Sequence, residues 1–184
     1  MQLLAKLTAL LAAVNTAILT VGRQVAWVAL VVMVFVILLQ VFFRYVLNNA
    51  LPWPEEAART LMIWMMALMA PTGYRWGAFV SIELVPDMLP PVVRRALHMA
   101  IFILSSVILF ILLQQARKHF GTGFIFRSSS LMHMPLAYVY LAMSVCLGLM
   151  LSVNIEMIMR TLGRTFGNLD DFPKPTLPKF MTEG

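Results

Sequence analysis

Charge is scarce in this 184-residue chain, at 12% of positions against 61% hydrophobic residues. Soluble domains carry roughly 25% charged residues, so an ordinary water-soluble fold is excluded. Cysteine is almost absent: the single Cys146 lies inside an apolar run, which rules out an intrachain disulfide and leaves the redox compartment open. Histidine is scarce too, with three residues, and no Cys/His/Asp/Glu cluster stands at metal-ligand spacing, so no metal or other cofactor is expected. There is no internal repeat. A pair of carboxylates, Glu55 and Glu56, has no nucleophile, metal or pocket motif beside it, so no catalytic residue is assigned and an enzyme is not expected.

What is present is hydrophobic length. Apolar runs at residues 24–43, 60–74 with flanks, 96–116 and 135–159 fill most of the chain. A hydrocarbon core about 30 Å thick needs roughly 20 apolar residues of helix. The expected fold is an all-α integral membrane protein of four transmembrane helices, with spans at about 24–46, 54–75, 96–116 and 135–159 inside a membrane domain of residues 23–164. The net charge of +6 does not signal nucleic acid. Arg23, Arg44, Arg59, Arg75, Arg94, Arg95, Arg117, Lys118 and Arg160 sit at the ends of the runs, where long basic side chains snorkel and set topology.

Residues 1–22 read as an amphipathic arm helix in the membrane interface. Leu4, Leu7, Leu11, Val14, Ile18 and Val21 recur at spacings of three and four, while Gln2, Lys6, Thr16 and Thr20 fall off that face. A fifth span or a cleaved signal peptide is the alternative, the latter without a small-x-small cleavage signal. The second helix is expected to start at Pro54, followed by Glu55 and Glu56 at the positive helix N-terminus, and to bend or end near Pro71 and Gly73. The connection to Arg95 and the loop 117–134 hold no span. Residues 165–184, with Pro173, Pro175 and Pro178, form a proline-containing tail. With four spans, nine Lys and Arg residues share the side of both termini and five the other side, which places both termini in the cytoplasm.

Several groups invite a chemical reading. Glu156 is the acidic residue nearest a span interior, and its spacing to Arg160 suits an i,i+4 interfacial pair better than a proton site. His98, His119 and His133 lie at or beyond helix ends, a poor arrangement for a haem. Ser144, Gly148 and Ser152 form a small-residue stripe that lets another helix approach, within the bundle or from another subunit. Met62, Met65, Met66 and Met69 form a second stripe suited to packing or lipid, and Gln40 is a lone polar group in the first run. Arg44, Tyr45, Trp53, Glu55, Glu56 and Arg59 crowd one non-cytoplasmic loop and helix start, either an interface anchor or a docking surface.

That last segment carries a resemblance. Phe43-Arg44-Tyr45-Val46 and Leu51-Pro52-Trp53-Pro54-Glu55-Glu56-Ala57-Ala58-Arg59 resemble the small membrane (Q-type) subunit of tripartite ATP-independent periplasmic (TRAP) transporters. The likeness continues through Tyr74-Arg75-Trp76-Gly77-Ala78-Phe79-Val80-Ser81-Ile82-Glu83, then Ser130-Leu131-Met132-His133-Met134-Pro135 and Tyr138-Val139-Tyr140-Leu141-Ala142. It covers residues ~40–155 in order. Two positions depart from the pattern: Pro54 replaces the usual Ser or Thr cap, and Phe79 and Glu83 stand where a His and an Asp are common. The resemblance implies a bacterial inner-membrane permease subunit that scaffolds a large translocating subunit. That partner would take up a small organic acid by sodium symport, delivered by a periplasmic binding protein. It makes Arg44, Trp53, Glu55, Glu56, Arg59, Arg75, Ser144, Gly148 and Ser152 the candidate partner contacts. A membrane anchor of a redox complex and a stand-alone proton-coupled exporter are the competing readings.

Overall fold

The computed structural model describes residues 2–76, 91–123 and 136–166. Four helices account for nearly all of them: α1 (Gln2–Tyr45), α2 (Pro54–Arg75), α3 (Pro91–Thr122) and α4 (Ala137–Phe166). There is no strand among the described residues. Three helices hold stretches long and apolar enough to cross a membrane: Ala5–Tyr45, Ala96–Thr122 and Ala137–Gly163. The chain is therefore an all-α membrane protein. The second of the four expected spans is not among the three: α2 carries Glu55, Glu56 and Arg59 in its first two turns and Arg75 at its end.

The first helix differs most from the sequence reading. It runs unbroken for 44 residues, about 66 Å at 1.5 Å per residue and twice the hydrocarbon thickness. No interruption separates residues 2–22 from the run that follows. The stripe of large apolar residues is turned away from the rest of the bundle, as a face meant for lipid or a partner would be: Leu7, Val14, Ile18 and Val21 are exposed. The buried positions are Thr8, Ala12, Asn15, Leu19, Gly22 and Ala26, at alternating spacings of four and three and offset by one residue. Small side chains bring two helix backbones together, and in a membrane protein the large ones need not hide. A Cβ added at Gly22 would lie 3.7 Å from both the side chain and the carbonyl oxygen of Leu68. Here α1 lies directly on α2.

Helix ends follow local chemistry. Beyond Tyr45, Asn48 takes a positive φ of 48°, a conformation Asn tolerates, and the chain reverses with Asn49 N–H donating to the Phe43 carbonyl at 3.0 Å. Pro54 begins α2 because it lacks only a donor that the first turn cannot use, and Glu55 and Glu56 follow in that turn. The helix passes through Pro71 and Gly73 and stops at Arg75. α3 extends past the expected 96–116 at both ends, so Arg117, Lys118 and His119 belong to its last turns rather than to a loop. α4 continues beyond Met159 to Phe166. His133, residues 77–90, residues 124–135 and the tail from 167 fall outside the described residues.

In the bundle, α4 packs against each of the other helices, α1 lies mainly along α2, and α3 joins through α4. The apolar core is small: Leu109, Ala116 and Leu147, with Leu113, Met150 and Leu151 against them. The largest fully buried side chains include Glu156, Val153 and Asn154 rather than a set of aromatics.

Candidate functional site: a buried polar junction

The helices meet at polar groups. One turn of α4 buries Val153, Asn154 and Glu156, with Ser152 half-buried beside them, facing α1 and α2 on one side and α3 on the other. Glu156 is completely buried. Its Oε1 lies 2.9 Å from Arg75 Nη2, and 3.0 Å and 2.9 Å from Nε and Nη2 of Arg160. Its Oε2 accepts from Asn15 Nδ2 at 2.8 Å. A carboxylate removed from water keeps its charge at tolerable cost only when paired and fully hydrogen-bonded, as here. The Glu156–Arg160 pair expected from i,i+4 spacing is present. It is half of the arrangement, and its carboxylate is buried within the bundle.

Arg75 reaches the junction from the last turn of α2. Besides Glu156 it donates to the Thr16 hydroxyl at 2.7 Å and the Ala12 carbonyl at 3.2 Å. Asn15 closes the contact with α4: its Nδ2 also donates to the Ser152 carbonyl at 3.3 Å, and the Ser152 hydroxyl donates to Asn15 Oδ1 at 3.0 Å. Three helices are tied by one ionic group. A second knot lies on the opposite side of α4. Asn154 accepts from the Tyr74 hydroxyl at 2.7 Å and donates to the Phe102 carbonyl at 2.9 Å and the Ser106 hydroxyl at 2.8 Å, linking α2, α3 and α4.

Of the candidate partner contacts, the structure brings Arg75 and Ser152 to this junction, beside the Glu156–Arg160 pair. The other candidate contacts lie apart. Arg44 sits 5.9 Å over the Tyr45 ring at the end of α1. Trp53 caps α2 without a side-chain bond, and Glu55 and Arg59 form an exposed i,i+4 pair at 3.3 Å. Glu56 is half-buried in the same turn. This group stands at the start of α2 and Arg75 at its end, 21 residues on, or about 30 Å along the axis. On α4 the small-residue stripe divides. Ser152 packs on α1, Ser144 turns its hydroxyl to the Tyr140 carbonyl at 3.3 Å, and a Cβ at Gly148 would meet nothing within 4 Å.

Sequence reasoning passed over Asn15, Tyr74, Ser106 and Asn154. A signal existed: each is a polar residue inside an otherwise apolar run, and such residues seek partners across helices. As for other chemistry, no three His, Cys, Asp or Glu side chains gather as a metal site would need among the described residues. His98 stacks near Phe102 and His119 lies 6.2 Å from the Tyr140 ring.

A bundle whose polar side chains bind one another while its outer faces stay apolar is a membrane-embedded helical subunit. The chain belongs to the DctQ component family of tripartite ATP-independent periplasmic transporters, whose sequence pattern matches residues 33–164. Arg75, Asn154, Glu156 and Arg160 lie within that match; Asn15 and Thr16 precede it. No protein with a curated description matches the chain.

Proposed function

We propose that this chain is the small permease subunit of its transporter, a static scaffold for a large multi-span subunit that carries the substrate. The observation supporting this is the division of polar and apolar surface. The buried Arg75 and Glu156 and the half-buried Arg160 pair with one another, whereas α1 and α3 turn Val28, Val31, Phe35, Leu104 and Ile111 outward. A subunit with its ionisable groups locked together is suited to holding a neighbour and poorly suited to moving an ion. On this reading α2 forms the fourth crossing, with its acidic start and Arg75 at opposite interfaces. Residues 1–22 serve as an arm beside the span, residues 23–164 as the membrane domain, and residues 165–184 as a cytoplasmic tail. The excess of Lys and Arg puts both termini in the cytoplasm of a bacterial inner membrane.

The large subunit then supplies sodium coupling and takes up a small organic acid delivered by a periplasmic binding protein, with no cofactor in this chain. Arg44, Trp53, Glu55, Glu56 and Arg59 face the periplasm and are the docking candidates. Reversing charge with Glu55→Lys and Glu56→Lys should impair uptake while the large subunit still co-purifies. Unchanged uptake removes the docking role. Purification of this chain without a larger polytopic partner, or with a haem absorbance band, refutes the scaffold itself.

A further inference from the structure

Most of the polar atoms of α2 near the junction are accounted for; a small set on one stretch of the helix is not. Pro71 has no amide hydrogen, so the Ala67 carbonyl loses its i+4 donor. Both residues are buried. Thr72 is 2% exposed, and its hydroxyl has no hydrogen-bond partner among the described residues. That is unusual for this chain: the hydroxyls of Thr16, Thr20, Thr60, Thr122 and Thr161 each bond the carbonyl four residues back. For Thr72 that carbonyl belongs to Leu68, the one that α1 approaches at Gly22. One turn further, Arg75 is 8% exposed and its Nε–H is also without a partner, although both of its Nη atoms are engaged.

What remains is one carbonyl acceptor, one hydroxyl and one guanidinium donor within residues 67–75 of a single helix. Thr72 and Arg75, three apart, are neighbours on its surface. The mixture defines the occupant. A metal cation is repelled by the guanidinium, and an anion finds a carbonyl where it needs a donor. A neutral molecule that both donates and accepts satisfies all three, and helix prolines in membranes characteristically have their freed carbonyls re-satisfied in this way. We propose that an ordered water occupies this place, accepting from Arg75 Nε–H and from the Thr72 hydroxyl and donating to the Ala67 carbonyl. It completes the hydrogen bonding of Arg75 and fixes the guanidinium plane that grips Glu156. The proposal is independent of the transporter role.

Two measurements test it together. A high-resolution structure of the purified protein in lipid should show a density peak within about 3.2 Å of both Thr72 Oγ1 and Arg75 Nε. A map in which these atoms meet protein partners and no peak overturns the proposal. Thermal unfolding of the near-isosteric Thr72→Val supplies the second. Loss of a water-bridged hydroxyl should lower Tm by about 2–4 °C, and Thr72→Ser should retain the parent value. If the hydroxyl is simply stranded, removing it leaves Tm unchanged or raises it, which also overturns the site.

Discussion

Glu156→Gln removes one negative charge and almost no volume, so its effect isolates the ionic junction. Two guanidiniums then share an uncharged amide. Breaking a buried ion pair from one side costs about 3–5 kcal/mol, because the remaining charge is stranded. The two arginines differ in their escape. Arg160 side-chain exposure is 12% and it sits in the final turns of α4, so its head can move toward the interface. Arg75 is anchored by Thr16 and the Ala12 carbonyl and stays where it is. The lower end of the range, about 3 kcal/mol, is therefore expected, which for a chain of this size lowers Tm by about 6–12 °C. Tryptophan fluorescence during thermal unfolding in mild detergent reads it. A triple variant, Arg75→Met with Glu156→Met and Arg160→Met, should recover most of the loss, since apolar residues of similar volume often replace buried ion pairs without penalty. A Glu156→Gln protein with the parent Tm would show that the junction contributes nothing to holding α1, α2 and α4 together.

Other substitutions probe the remaining contacts. Asn154→Leu removes one partner from each of the Tyr74 hydroxyl, the Ser106 hydroxyl and the Phe102 carbonyl and should cost about 2–3 kcal/mol, with Tyr74→Phe costing about 1 kcal/mol; additivity in the double variant would contradict their direct bond. Gly123→Ala places a methyl 2.8 Å from the backbone of Ala137 and 2.6 Å from the Tyr140 ring, so the α3–α4 connection should lose about 1–3 kcal/mol by overpacking, read as a lowered Tm. Gly148→Ala meets nothing within 4 Å and should be silent in the isolated chain. Reduced recovery of a large subunit with Gly148→Leu would place the partner on that face.

Much of this molecule was legible before any coordinates. Apolar run lengths and the near absence of charge required membrane helices, because nothing in a bilayer satisfies an exposed backbone. Pro54-Glu55-Glu56 marked a helix start by the chemistry of free amides, and α2 begins there. Spacing paired Glu156 with Arg160. Helix ends were less readable: α3 and α4 run beyond the hydrophobic runs, since a helix need not stop where its side chains become polar.

Which face of a helix is inside was decided only by the tertiary structure. In water the large apolar stripe of α1 would have to be the buried one. In lipid it costs nothing to leave Leu7, Val14 and Val21 outward, and close packing selects Thr8, Ala12, Asn15 and Gly22 instead. Arg75 and Glu156 are likewise 81 residues apart, and nothing local in either segment names the other. Their pairing follows from the antiparallel run of α2 beside α1 and the return of α4 across both. The sequence by itself determined the helices, their membrane setting and the local Glu156–Arg160 pair. The fold decided that a second arginine and Asn15 complete that pair, because a buried carboxylate takes its partners from whichever helices pack against it.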